Sequence, residues 1–330
     1  MKKKLLAVLV AGAMALAASA CGSGEAEEPA ESTGETYTIG ICQLVEHEAL
    51  DAATQGFQDA LTDEFGDAVT FDLQNAQNDS TACTTIVNDF VTKKVDLIMA
   101  NATPALQAAA NGTTTIPVLG TSITEYGTAL GIENFSGTVG GNISGTSDLA
   151  PLDEQAQMIL DLFPETKTVG LLYCSAEANS AYQVKVVADY LVAKGITCTD
   201  YPFSDSNDVA AVSAAAAAAS DVIYIPTDNT AASCTEAING VVLPTGTPVI
   251  VGEEGICAGC GVATLSISYY DLGVKTGKMA AKILKGEEKI EEMPVGYVDT
   301  FQKKYNKANC EALNIDTAAL EAAGYVAIGD

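Results

Sequence analysis

The stretch DVIYIPTDNTAASC, residues 221–234, runs an apolar, β-branched segment straight into Thr227, Asp228 and Asn229, and then into Ala-rich sequence of helical character. Residues 96–109, DLIMANATPALQAA, repeat that order, with Thr103 and Pro104 where Asp228 and Asn229 stand. Each stretch reads as a strand-to-helix corner. Two corners of one plan, about 125 residues apart, predict a duplicated α/β architecture.

The neighbouring segments extend the parallel. YTIGICQL (37–44) leads into the helix pattern ALDAATQGFQDALTDEFG, and VTFDLQNA into STACTTIVNDFVTKK, where Asn78, Asp79 or Ser80 is placed to cap the helix. DLIMA, PALQAAANG and IPVLGTS complete a first series. A second begins with TVGLLYC (168–174) and passes through ITCTDYPF and DVIYIPTDN to TPVIVGEE. Strands separated by helices imply right-handed βαβ units and parallel sheets covered on both faces. The period is too long for a solenoid. The predicted fold class is therefore α/β: two Rossmann-like lobes, each a parallel sheet flanked by helices, joined by three crossovers.

The expected division follows from the order of the series. Residues 37–147 plus about 262–292 form the first lobe, and 148–261 plus about 293–330 the second. A first crossover is expected near Ser147 and Asp148. GVATLSISYYDLGVKTGKMAAKILKGEE reads as a strand and a helix with Leu272, Met279 and Ile283 on one face, returning to the first lobe.

The amino terminus is of another kind. MKKKLLAVLVAGAMALAASAC has three lysines, an apolar run from Leu5 to Ala20 and small residues before Cys21. That run is shorter than the roughly 20 residues a membrane-spanning helix needs, so residues 1–21 read as a leader. Small residues followed by cysteine are similar to the bacterial lipoprotein pattern, in which the cysteine, here Cys21, becomes acylated. Residues 22–36, rich in Gly, Ser, Glu and Ala, read as a flexible linker. The expected location is the extracytoplasmic face of the cell membrane, held by the lipid.

Removal of Lys2, Lys3 and Lys4 with the leader leaves 13 lysines against 43 acidic residues, a formal charge of −30. Such a surface excludes nucleic acid as a partner. The chain has neither arginine nor tryptophan, so any anion must be held by backbone N–H groups, hydroxyls or lysine. Of nine cysteines, those beyond Cys21 mostly sit within apolar strand or helix patterns, as buried thiols do. CAGC (257–260) is open to a tight disulfide or half a zinc site, yet a second CxxC is missing and His47 is the only histidine. Neither a metal nor a cofactor is expected.

In open α/β sheets a ligand lies beyond the carboxyl ends of the strands. The corner loops there bring helix N-termini after Thr103, Ser175 and Thr227, which suit a carboxylate. Asp228, Glu46, Glu177 and Glu253 are placed to receive an ammonium. Each has an ordinary reading too: Asp228 and Asn229 are also common N-cap residues, and His47 is also a solvated loop residue. Of Tyr269 and Tyr270, one must point inward by alternation. No GxSxG, GxGxxG or GxxxxGK[ST] follows a strand, so an enzyme is not expected.

These segments together resemble the tryptophan/tyrosine-type ABC substrate-binding family. The similarity runs from IGICQLVEHEALDAATQGF through QNAQNDST, IPVLGTSIT, GTSDLAPLDEQ, VGLLYCSAEANS and IYIPTDNTAAS to SYYDLGVKTGKMAAKIL. It implies the type I periplasmic-binding-protein fold and a cleft lined by Glu46, His47, Thr103, Pro104, Ser122, Asp148, Asn179, Ser180, Asp228 and Asn229. Glu48 departs from the proline usual in the family. The resemblance further implies a lipid-anchored, monomeric binding protein of an ABC importer, closing on a small zwitterion such as tryptophan, tyrosine or phenylalanine and presenting it to a membrane permease. A sugar- or nucleoside-binding protein of the same fold, or a ligand sensor for a membrane receptor, is the alternative.

Overall fold

The computed structural model describes residues 36–329, so the leader, Cys21 and nearly all of the 22–36 linker lie outside the described residues. Strands run in the order β1 Tyr37–Gln43, β2 Val69–Asn75, β3 Leu97–Asn101, β4 Val118–Ile123, β5 Ile143–Ser147, β6 Thr168–Cys174 and β7 Thr197–Phe203. They continue with β8 Val222–Ile225, β9 Val249–Val251, β10 Ala263–Ser266, β11 Gly296–Tyr297, β12 Gln302–Tyr305 and β13 Val326–Ala327. Two sheets result, ordered β11-β5-β4-β3-β1-β2 and β13-β12-β10-β9-β8-β6-β7. All pairings are parallel except β10 with β12.

Strands buried on both faces carry continuous apolar runs, as parallel sheets require. β3 (LIMAN) and β8 (VIYI) are buried throughout. Edge strands β2 and β7 are half-exposed, with polar residues interleaved. Asp79 is the residue that caps the helix Ser80–Lys93, accepting from Thr81 N at 2.7 Å. The eight cysteines among the described residues are free thiols, six of them buried, and the described residues hold no cluster of metal-ligating side chains.

The chain crosses between sheets three times, though two crossings fall later than the sequence reading placed them. After β5 it leaves the first sheet at Asp148. β10 was assigned to the first lobe, but it extends the second sheet, pairing Ala263 with Ile250 and Thr264 with Val251. An apolar β run beside an open strand edge pairs there before the chain can leave. The return to the first lobe therefore comes after Ser266. Likewise β11, expected in the second lobe, pairs Gly296 and Tyr297 with Thr146 and Ser147 of β5, so the last crossing follows Tyr297.

The helix Tyr269–Leu284 does return to the first lobe, against the helix Glu48–Phe65. Leu272 is fully buried, with Met279 and Ile283 packed at the margin of the first-lobe core. Glycine sets the close approach of the two helices: a Cβ on Gly56 would lie 2.1 Å from Tyr270 O, and one on Gly273 2.0 Å from Ala53 O. That packing fixes the start of the second helix, and with it Tyr269, above the carboxyl ends of the strands.

Candidate functional site

A narrow, nearly closed cavity with about 10 Å³ of water-sized free space lies where the carboxyl ends of the two sheets face each other. The first lobe lines it with His47, Ala49, Leu50, Ser122 and Thr124, with Asp148 at the crossover and Tyr269 on the returning helix. The second contributes Asn179, Thr227, Asp228, Asn229, Ala232 and Glu253.

The corner at 221–234 resolves into a tight arrangement of carboxylates. Asp228 caps the helix Asn229–Ser233: Oδ1 accepts from Ala231 N at 2.8 Å and Oδ2 from Cys174 N at 2.6 Å. Glu177 receives the remaining donors, with Asn229 N and Nδ2 on Oε2 and Thr230 N and Oγ1 on Oε1. Glu253 caps the helix Glu254–Gly259, accepting from Gly255 N and Ile256 N at 2.6 Å each. The helix N-termini following Thr227 and Glu253 thus already hold carboxylates of the protein. The sequence expectation that the corner after Thr227 offers free N–H groups is corrected accordingly. Both oxygens of Asp228 and of Glu177 already accept hydrogen bonds within the second lobe.

The corner at 96–109 differs. Its N-cap position is Ala102, which has no side-chain acceptor and sits at φ +87°. Ser122, on the next strand, also has a left-handed backbone at φ +55°. Such geometry costs about 1–3 kcal/mol per residue and is characteristic of functional sites.

Asp148 is fully within the protein, and Tyr269 donates its hydroxyl to Oδ2 at 2.9 Å. Burial raises the Asp148 carboxyl from 3.8 to about 6, against the opposing pull of its Tyr269 and Thr124 hydrogen bonds. Burial also lifts Glu253 to about 7, and lifts Asp228, with the added charge of Glu177, to about 8. No lysine lines the cavity. Its electrostatic character is thus acidic, with His47 held below its ordinary value by burial.

Four buried polar atoms of the lining have no hydrogen-bond partner: His47 Nδ1, Ser122 Oγ, Asp148 Oδ1 and Asn179 Oδ1. The Asn179 orientation is chemically settled, since Nδ2 donates to Glu177 Oε2 at 3.2 Å and Thr227 O at 3.1 Å. Leaving one such atom buried costs about 1–3 kcal/mol. All four converge on this one cavity.

Of the residues expected from the sequence, His47, Ser122, Asp148, Asn179, Asp228 and Asn229 come together around this cavity. Glu46 does not: it is exposed and borders a separate groove with Gln43 and Asp51. Thr103 is buried, Pro104 half-buried, and neither reaches the lining. Ser180 is buried behind it, hydrogen-bonded to Asn179. Ala49, Leu50, Thr124 and Ala232 carry no mark in the sequence, because nothing in small or apolar residues distinguishes them before the lobes meet. The tyrosine pair is resolved: Tyr269 is buried, while Tyr270 is 43% exposed and bonds Asp59.

A family model described as ABC transporter substrate binding protein matches residues 38–322. The chain is 32% identical to the Tyrosine-binding protein of Clostridioides difficile, covering 98% of this chain and 96% of that one. It resembles the crystal structure of an ABC domain in complex with L-Trp from Streptococcus pneumonia, at 32% identity and a TM-score of 0.83, over 89% of this chain and 100% of that one. It also resembles the ligand-free, open structure of a substrate binding protein with adhesive properties from Clostridium difficile, at 36% identity and a TM-score of 0.67, over 88% of this chain and 99% of that one. The second is nearer in sequence and further in shape. The fold is that of the type I periplasmic binding proteins.

Proposed function

The chain belongs to the ABC transporter substrate-binding protein family, and on that premise we propose that it captures one aromatic L-amino acid between its lobes for delivery to an ABC permease. The family is extracytoplasmic. In this reading Cys21 carries the lipid that keeps the protein at the outer face of the membrane, as a monomer.

One observation carries the ligand assignment: four unpartnered buried atoms converge on one acidic cavity between the lobes. Asp148 Oδ1 and Asn179 Oδ1 are acceptors placed for an ammonium. Ser122 Oγ is a donor for a carboxylate. Ala49, Leu50, Ala232 and the Tyr269 ring supply apolar surface for the side chain. An ammonium also relieves the desolvated Asp148 charge, which a neutral sugar does not. The relatives named above, one called a Tyrosine-binding protein and one solved with L-Trp, fit the same ligand class. No covalent step is involved: the ligand favours the closed arrangement by binding it more tightly than the open one.

A thermal-shift screen of the twenty amino acids and common nucleosides tests this. At 100 times the Kd a ligand adds about 2.7 kcal/mol of stability, which moves the melting temperature by several degrees. Tryptophan, tyrosine and phenylalanine are expected to give the largest shifts. Since the chain has no tryptophan, bound L-tryptophan is also the only indole fluorophore present. A shift from nucleosides alone, or from aliphatic amino acids ahead of aromatic ones, overturns the assignment.

A further inference from the structure

Among the hydrogen bonds that cross between the lobes beside the cavity, two end on adjacent residues of the second lobe. His47 Nε2 meets Asn229 Oδ1 at 3.3 Å, and Asn78 Nδ2 donates to Thr230 Oγ1 at 2.9 Å. Behind both lies Glu177, buried and outside the cavity lining. Its Oε2 accepts from Asn229 Nδ2 at 2.6 Å, and its Oε1 from Thr230 Oγ1 at 2.8 Å. Backbone N–H groups of the same two residues, and Asn179 Nδ2 on Oε2 at 3.2 Å, complete its set.

The arrangement dictates the polarity of both crossings. A carboxylate accepts and does not donate. The Asn229 amide must therefore turn its NH₂ to Glu177 and its oxygen to the first lobe. Thr230 has one hydroxyl proton, which Glu177 takes, so only lone pairs remain for Asn78. In both of these crossings the acceptor lies on the second lobe and the donor on the first. His47 is then obliged to hold hydrogen on Nε2. In the neutral ring, which burial favours, Nδ1 is left as a lone pair. That is the imidazole atom found buried and unpartnered.

We propose that Glu177 is a positioning residue for closure: through Asn229 it sets His47 as the Nε2–H tautomer, leaving the Nδ1 lone pair for a donor on the ligand, without touching the ligand itself. This rests on the ligand-binding reading above and adds the proton state in which the site closes. An N–H or O–H group of the guest is accepted at that end, and a carboxylate oxygen is refused.

The single histidine makes the test direct, because imidazole ¹⁵N signals of the full-length chain need no assignment. With saturating L-tryptophan, the wild-type protein is expected to show the neutral Nε2–H tautomer. In Glu177→Gln, tautomers are expected to mix and affinity for L-tryptophan to fall at least ten-fold through faster release. Asn229→Ala, which leaves Glu177 in place, is expected to mix them as well, and serves if Glu177→Gln does not fold. An Nδ1–H or doubly protonated ring in the closed wild type, or a tautomer unmoved by either variant, overturns the proposal. If no amino acid binds, the ligand reading fails on its own, and the free chain's spectrum decides: mixed tautomers there overturn the positioning role, and a locked Nε2–H form supports it.

Discussion

Tyr269 donates its phenolic hydroxyl to Asp148 Oδ2 across 2.9 Å, joining two of the three crossovers between the lobes. Asp148 follows β5 where the chain first leaves the first sheet, and Tyr269 opens the helix by which it returns. The other carboxylate oxygen, Asp148 Oδ1, is buried without a partner in the cavity wall. A cation bound there touches the hinge region and the pocket at once.

Asp148→Asn is expected to weaken binding of the aromatic amino acid by ten- to a hundred-fold, in line with about 1.5–3 kcal/mol for a hydrogen bond to a charged group. Folding stability should hold or rise, since a desolvated charge is removed. Asp228→Asn is expected to do the reverse, lowering the melting temperature more than the affinity, because it places an NH₂ among donors that Asp228 now receives. Calorimetric titration with parallel melts separates the two. A larger affinity loss at Asp228 than at Asp148 contradicts the assignment.

The two adjacent tyrosines should part company. Tyr269→Phe removes the donor to Asp148 and is expected to raise that carboxyl's pKa further and weaken binding by several-fold. Tyr270→Phe removes only an exposed bond to Asp59 and should leave the Kd within two-fold. Equal effects in the same titration count against Tyr269 as the inward ring.

The ligand-free protein should melt at lower temperature as pH rises from 5 to 8. Asp148, Glu253 and Asp228 have folded-state values raised to about 6, about 7 and about 8. Each keeps a proton that the unfolded chain has released, so its stabilising contribution is full below the ordinary carboxyl value and lost as pH climbs through the raised one. His47, shifted down by burial, opposes this below about its ordinary 6.5 but is one group against three. Affinity for the ammonium moves the other way, strengthening as Asp148 ionises through pH 6. Melts and titrations at pH 5, 6.5 and 8 check both signs; a melting temperature that climbs with pH rejects the buried-carboxylate account.

Gly273→Ala should be costly for its size. The added methyl meets Ala53 O at 2.0 Å, a backbone atom that cannot swing aside. Overpacking of this kind costs about 1–3 kcal/mol or more. The melting temperature should drop by several degrees, with weaker binding because the helix carrying Tyr269 is displaced. An unchanged melt contradicts the close helix contact.

Cys21→Ser tests the lipid anchor. Expressed in a bacterium that processes lipoproteins, the wild type should sediment with membranes and the variant should appear in the soluble extracytoplasmic or medium fraction. No helix among the described residues is long and apolar enough to cross a membrane, so continued sedimentation of the variant argues against Cys21 as the anchor.

Much of the architecture is legible in the chain because its signals are local. Apolar β runs, helix caps and turn residues recur in two series, and a parallel sheet demands no more than that alternation. Even the corner at 221–234 announces its helix through Asp228, which does cap it. The two misplaced crossings, at β10 and β11, show the limit. Whether a short apolar strand extends one sheet or the other depends on which open edge it meets, and edges exist only once the lobes are assembled.

The sequence by itself determined that there are two α/β lobes, that their strand ends carry hydroxyls and carboxylates, and that no guanidinium is available. Only the tertiary structure decided which of those groups remain free. Asp228 is engaged by Cys174, 54 positions away, and Glu177 by Asn229 and Thr230, 52 and 53 away. Asp148, chemically the same as Asp228, keeps one oxygen unpartnered. The physical reason is that a carboxylate's availability depends on the donors within about 3 Å, and here those donors are brought by distant segments that only the assembled sheets place side by side.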